Sequence, residues 1–375
     1  MNISLPPSPS LPISALAASF KEVTNSYKFY WFLAILESVR ENNKGGIFVL
    51  DSLLARMIAS VWYPVNYFRL SFGKQDRLGN IATALGEKSG LSMDSPRSCV
   101  IQVALDHLQQ RDDIGREIVS LANFVPYRFL RPFFAPTLRG AKDWEVNRRI
   151  RLLADQAFTS PQPCLYRFVD APNSAIAIEI HPNWLAYLQQ HLTILTGFCL
   201  WHLTGYLQKN NPNVPNIAGK LFEPQARDLR LAREFWNFVL GQNGGMTCIY
   251  SGQPLQKGSF SLDHFLPWRF VAHDLLWNLV PTLKAVNSSK SDNLPDPSYL
   301  DPFAHQQYQA VQMALRAPKA AAWLEDYVLL FKVSGLNDFA DMPLDTFRDT
   351  LRQTIAPQMQ IAANMGFPGG WRYIP

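Results

Sequence analysis

The chain has 375 residues, enough for two or three packed units, and 47% hydrophobic with 17% charged residues excludes large-scale disorder. A net charge of +5 and a pI near 8.9 admit a polyanionic partner without requiring one. The charge is uneven: between Pro126 and Arg151 seven bases face only Asp143 and Glu145, whereas residues 296–375 carry eight acids and six bases.

In chain order, MNISLPPSPSLPIS (1–14) reads as a flexible Pro/Ser-rich tail, with neither the basic region nor the long apolar run of a signal peptide. YKFYWFLAILESVREN (27–42) has helical apolar spacing but is apolar nearly all round, which predicts a buried helix. GGIFVLDSLLARMIASVWYPVNYF predicts a short strand or turn, then a helix stopped near Pro64. Residues 100–122 read as two helices with Asp112 and Asp113 between them, 124–140 as an ordered loop with three prolines, and 143–158 as an amphipathic helix. LYRF and AIAIEI flank APNS, the pattern of a β-hairpin, and a long helix is expected from Trp184 to Leu207. NNPNVPNIAGK reads as a loop and ARDLRLAREFWNFVLGQ as a helix ended by NGG at 243–245. Past residue 297 the spacing predicts three helices. The expected fold class is therefore α+β: a mostly helical scaffold with a small α+β insert.

Cys99, Cys164, Cys199 and Cys248 form no C-x-x-C pair, so a disulfide framework is not expected and a reducing cytoplasm is the natural setting. The most apolar stretch, ILTGFCLWHLTGYL, is too short and too interrupted to span a bilayer.

The chemistry concentrates in LDHFLPW (262–268), where an acid and an imidazole sit inside an apolar run. Charge is costly there unless something uses it. Further on, WNLVPT predicts a second short strand and LKAVNSSKSD a short helix carrying Asn287 and Lys290 on one face. Side chains alternate along a strand, so Asp263 and His264 can serve one phosphate only if the strand ends or bulges there; Pro267 is consistent with that break.

The pair Asp263-His264, then Asn278 fourteen residues after His264, Asn287 nine further, and Lys290 in NSSKSDNLP resemble the HNH, or ββα-metal, nuclease superfamily. The spacings and the SDNLP ending are especially similar to the HNH domains of CRISPR RNA-guided DNA nucleases. The expected domains are a tail at 1–15, a helical domain at 16–242, an insert at 243–297 and a helical segment at 298–375; the resemblance covers about 246–297 and implies a small ββα-metal domain there. It implies His264 as general base, Asp263 and Asn287 holding one Mg²⁺ or Mn²⁺, Asn278 orienting the loop and the imidazole, and Lys290 contacting phosphate. DNA is the implied substrate, cut to leave 5′-phosphate and 3′-hydroxyl ends. Many relatives carry a C-x-x-C zinc site; CIYSG offers only Cys248, so no structural zinc is expected and packing must come from Tyr250, Phe260, Phe265, Trp268 and Trp277.

Elsewhere, Arg128, Arg131, Arg148, Arg149 and Arg151 are candidates to track a nucleic-acid backbone, with Phe133, Phe134 and Trp144 either stacking on bases or filling core. His273 and Asp274 read as a solvated loop with a capping acid. YKFYWFLAILE, WYPVNYFRLSFGKQDRL and NPNVPNIAGKL resemble the helical N-terminal region of HNH proteins from bacterial restriction and phage-defence loci, which implies a protein or nucleoprotein partner there. The alternatives are a non-cleaving nucleic-acid-binding or guide-complex subunit, and a nuclease acting on RNA.

Overall fold

The computed structural model describes residues 4–21, 23–42, 45–171, 175–224, 226–242 and 245–375. The chain divides into two units, one up to Pro212 plus Ile217–Pro224, the other Asn213–Asn216 plus the chain beyond 225.

In the first unit the Tyr27–Glu41 helix is buried on almost every side, as its uniform apolarity predicts, and packs on the Leu50–Trp62 and Leu192–Asn210 helices. The Leu50–Trp62 helix does not stop dead at Pro64. It runs into one π-helical turn, Tyr63–Tyr67, where the Pro64 carbonyl accepts from Leu70 N at 2.8 Å. A three-stranded antiparallel sheet forms from β1 (Ile47–Val49), β2 (Tyr166–Ala171) and β3 (Ala175–Ile180) in the order β1-β3-β2. The β2–β3 strands are the hairpin read from the sequence; its turn residues 172–174 lie outside the described residues.

Four local readings change. Residues 125–134 are helical, Val125–Leu130 followed by a 3₁₀ turn Arg131–Phe134, because Pro126 and Pro132 occupy first-turn positions whose N–H has no helical partner to lose. The long helix splits into Pro182–Gln190 and Leu192–Asn210 at His191, whose ring packs against Tyr187. A one-residue break leaves the apolar spacing intact, so the pattern reads straight through it. The tail is pinned over residues 5–11: Leu5 and Leu11 are buried and the Pro6 carbonyl accepts from Tyr187 Oη at 2.7 Å. A helix not read from the sequence, Arg77–Ser89, is capped by Asp76 and closed by left-handed Gly90, two signals that were present.

In the second unit the β4–β5 hairpin, Ser261–His264 with Leu279–Thr282, sits against the helices Arg230–Gln242, Leu300–Ala314, Ala320–Phe331 and Leu344–Asn364. A fourth, short helix after residue 297, Asn337–Ala340, joins the three expected. The Arg230–Gln242 helix, grouped by the sequence reading with the N-terminal region, buries Phe235, Trp236 and Val239 in this core. Its expected stop at Asn243 and Gly244 lies outside the described residues. Among the described residues no helix is long and apolar enough to cross a membrane.

Candidate active site

β4 pairs with β5 so that Asp263 faces Val280 and His264 faces Leu279, and the strand ends at His264. Asn278, fully buried, closes the loop that follows. Its Oδ1 accepts from Leu266 N at 2.8 Å, its Nδ2 donates to the Leu266 carbonyl at 3.0 Å, and its own carbonyl accepts from Phe265 N at 2.9 Å. Asn278 therefore shapes the loop; it has no direct bond to the imidazole.

The Lys284–Lys290 helix grips β4 on both sides of Asp263. Asn287 Nδ2 donates to the Leu262 carbonyl at 3.3 Å, and Lys290 Nζ donates to the His264 carbonyl at 2.7 Å and to Asp263 Oδ1 at 3.1 Å. Asp263 Oδ2 accepts from Tyr250 Oη at 2.6 Å. Burial, and then the Asp263 charge, push the Tyr250 phenol well above its ordinary range, so it keeps the proton it donates. Lys290 is fully buried, which corrects the expected phosphate contact: its ammonium is spent on Asp263 and a carbonyl inside the unit.

His264 is only 5% exposed, and its Nε2 lies 2.8 Å from Asp274 Oδ1. Asp274, read from the sequence as a capping acid, is the one nearby carboxylate that the spacing argument set aside. Nothing in a loop of unknown path says which acid folds back, so only the three-dimensional path could find it. A carboxylate accepts and cannot donate, so Nε2 carries the hydrogen, and in the neutral ring the lone pair belongs to Nδ1. His273, by contrast, packs against Trp277.

Residues 248–296 match the family model described as HNH endonuclease. This segment belongs to the HNH superfamily. The match covers a minor part of the chain, and no curated protein and no solved structure matches it.

The HNH segment starts at Cys248, a buried core residue with Sγ 3.1 Å from Thr282 Oγ1. Of the aromatics expected to hold it, Tyr250, Phe265 and Trp277 are buried, and Phe260 is half-buried against the same core. At its far end Leu294 N donates to the Pro368 carbonyl and Asp296 N to that of Trp371, so the C-terminal segment straps the end of the HNH segment.

The HNH site offers two hard oxygen donors. Each Asp263 oxygen takes one hydrogen bond and keeps a lone pair, and the half-buried Asn287 spends only its Nδ2. Among the described residues no three His, Cys, Asp or Glu side chains converge, so an ion here would complete its shell with water and phosphate oxygens. That habit is characteristic of Mg²⁺, and the oxygen set suits Mg²⁺ or Mn²⁺ better than zinc. The donor chemistry, all oxygen, is compatible with that ion.

In the first unit the five arginines fall into two groups. Arg128 is held by Asp143 at 2.7 Å and Arg149 by Glu145 at 2.8 Å, while Arg131, Arg148 and Arg151 have no ion pair among the described residues. Phe133 packs on Trp184 and Phe134 is buried, so these two fill core; Trp144 is 74% exposed.

Proposed function

We propose that the protein is a divalent-metal-dependent endonuclease that hydrolyses DNA phosphodiester bonds through its HNH segment. The observation that carries the reading is the His264–Asp274 contact within the segment that matches HNH endonuclease. With Nε2–H held by Asp274, the Nδ1 lone pair takes the proton of the attacking water, a contribution typically of ~10²–10⁴ in rate. The Asp274 carboxylate then stabilises the imidazolium that forms, and Asn278 keeps the loop that carries Asp274 closed. Lys290 fixes the Asp263 carboxylate and offsets part of its charge. Asp263 and Asn287 would hold Mg²⁺ or Mn²⁺, which would supply charge neutralisation at the phosphate and help for the departing oxygen. As the water oxygen bonds to phosphorus the P–O3′ bond breaks and the departing O3′ takes a proton from solvent water, which leaves 5′-phosphate and 3′-hydroxyl ends. The likeness of the N-terminal motifs to those of restriction and phage-defence proteins supports a role in bacterial defence, in the cytoplasm, with a partner for the first unit.

The test is purified protein on supercoiled plasmid with Mg²⁺, with and without chelator, beside RNA of the same sequence. The expected result is nicking or cutting of DNA that chelator stops and His264→Ala abolishes with the fold unchanged. Full cutting by His264→Ala rejects the assignment. Binding without cutting by the wild type replaces it with a recruiting subunit, and preference for RNA replaces the substrate.

A further inference from the structure

The basic segment of the first unit holds two of its guanidiniums in ion pairs and leaves others open. On the Asp143–Ala157 helix, Val146, Ile150 and Ala154 are buried. At about 100° per residue, Trp144, Arg148 and Arg151 fall within one narrow arc of the other side. All three are exposed, and neither arginine has an ion pair among the described residues. Asp155 is the single acid on that arc, and Leu152 beside it is 55% exposed. A tryptophan three-quarters open to water, flanked by free guanidiniums, is poorly explained by folding alone.

A second exposed aromatic belongs to the segment tethered to the packed side of this helix. Asn147 Nδ2 donates to the Asn123 carbonyl at 2.5 Å, and Arg128 clasps both the carboxylate and the carbonyl of Asp143, tying the helix start to the chain at Phe124. The Phe124 ring is 56% exposed and lines a cavity of about 500 Å³ together with Lys28, Arg77, Arg128 and Asp143. Three cations meet one carboxylate there. Burial, then Arg131 and Arg128, lower the pKa of the Lys28 ammonium, as expected where like charges converge.

We propose that this face of the first unit binds single-stranded nucleic acid, with bases stacked on Trp144 and Phe124 and phosphates on Arg148, Arg151, Lys28 and Arg77. Cations alone would suit any polyanion. The exposed rings decide for a single strand, because in a duplex the π-faces of the bases are already occupied by their neighbours. The inference rests on the nuclease reading only for its choice of nucleic acid as partner, and it is tested by binding instead of cutting.

The experiment is fluorescence anisotropy of the full chain in chelator, with a short labelled oligo(dT) and a duplex of equal length, at low and physiological salt. Oligo(dT) is expected to bind more tightly than duplex. Trp144→Ala and Phe124→Ala should each weaken it roughly 5- to 100-fold. Arg148→Ala should weaken it and flatten the salt dependence by about one phosphate contact, while Arg149→Ala, already paired with Glu145, should change little. Equal or tighter duplex binding, no binding of either probe, or aromatic variants that bind as the wild type would overturn the proposal. So would uptake of free phosphate or a mononucleotide alone. Normal oligo(dT) binding by a protein that never cuts plasmid would defeat the nuclease reading and leave this one standing.

Discussion

In the second unit Asp263, His264 and Lys290 are all at most 5% exposed, and the polar groups satisfy one another. In the first unit the Asp143–Ala157 helix does the reverse: Trp144, Arg148 and Arg151 stand in water, and neither arginine has an ion pair among the described residues. Buried, mutually bonded charges are costly to assemble and hold fixed geometry, which suits a reacting centre; open cations and rings lose little by waiting and suit a surface that meets a flexible polyanion. Both units also bury a lysine. Lys290 is buried against a carboxylate, and burial of Lys220 in the first unit lowers its pKa to about 7.

The sharpest break in this comparison is Asp263→Ala. It strands the Lys290 ammonium and the Tyr250 hydroxyl inside the second unit, and loss of one member of a buried pair is expected to cost roughly 3–5 kcal/mol. Chemical unfolding checks it, and Asp263→Ala with Lys290→Met should recover part of the loss. An unchanged midpoint in the single variant would mean that the pair contributes nothing to the core.

Asp274→Asn comes next. The amide can offer Nε2 a donor as readily as an acceptor, so it no longer fixes which ring nitrogen carries the hydrogen. Cleavage should fall about 10- to 100-fold with little change in melting temperature, and Asp274→Glu should restore part of it. Wild-type turnover in Asp274→Asn would reduce the His264 contact to packing.

The smallest effect belongs to Lys220. Between pH 7 and its unfolded pKa the unfolded chain holds a proton that the folded chain has released, so stability rises with pH over that window. From pH 7 to 9 the gain should reach up to ~2 kcal/mol, measurable as a melting temperature that climbs in the wild type and stays flat in Lys220→Met. Equal slopes in both would show that burial does not shift this ammonium.

Most of the helices and the strand–loop–strand–helix order around Asp263 were legible in the sequence, because apolar period and residue spacing are local properties. What was not legible depended on the path of the chain. Asn287 and Lys290 are three apart on one helix face in either description, but only the packed helix shows Lys290 turned inward onto Asp263 instead of outward to phosphate. Asp274 needed the folded loop to reach His264. Pro126 and Pro132 look like breakers in sequence and are starters in the fold, since the rule depends on where the helix begins. The five arginines look alike until their neighbours Asp143 and Glu145 neutralise two of them.

The central claim is that Asp263 and Asn287 hold one ion beside the His264 imidazole. A crystal structure of His264→Ala with DNA and Mg²⁺ tests it most directly. The account predicts a single ion bound to an oxygen of each of the two side chains, at about 2.0–2.1 Å, and touching the scissile phosphate. An ion seated elsewhere, or DNA bound with Asp263 closed on Lys290 and Tyr250 and no ion between it and Asn287, would contradict it.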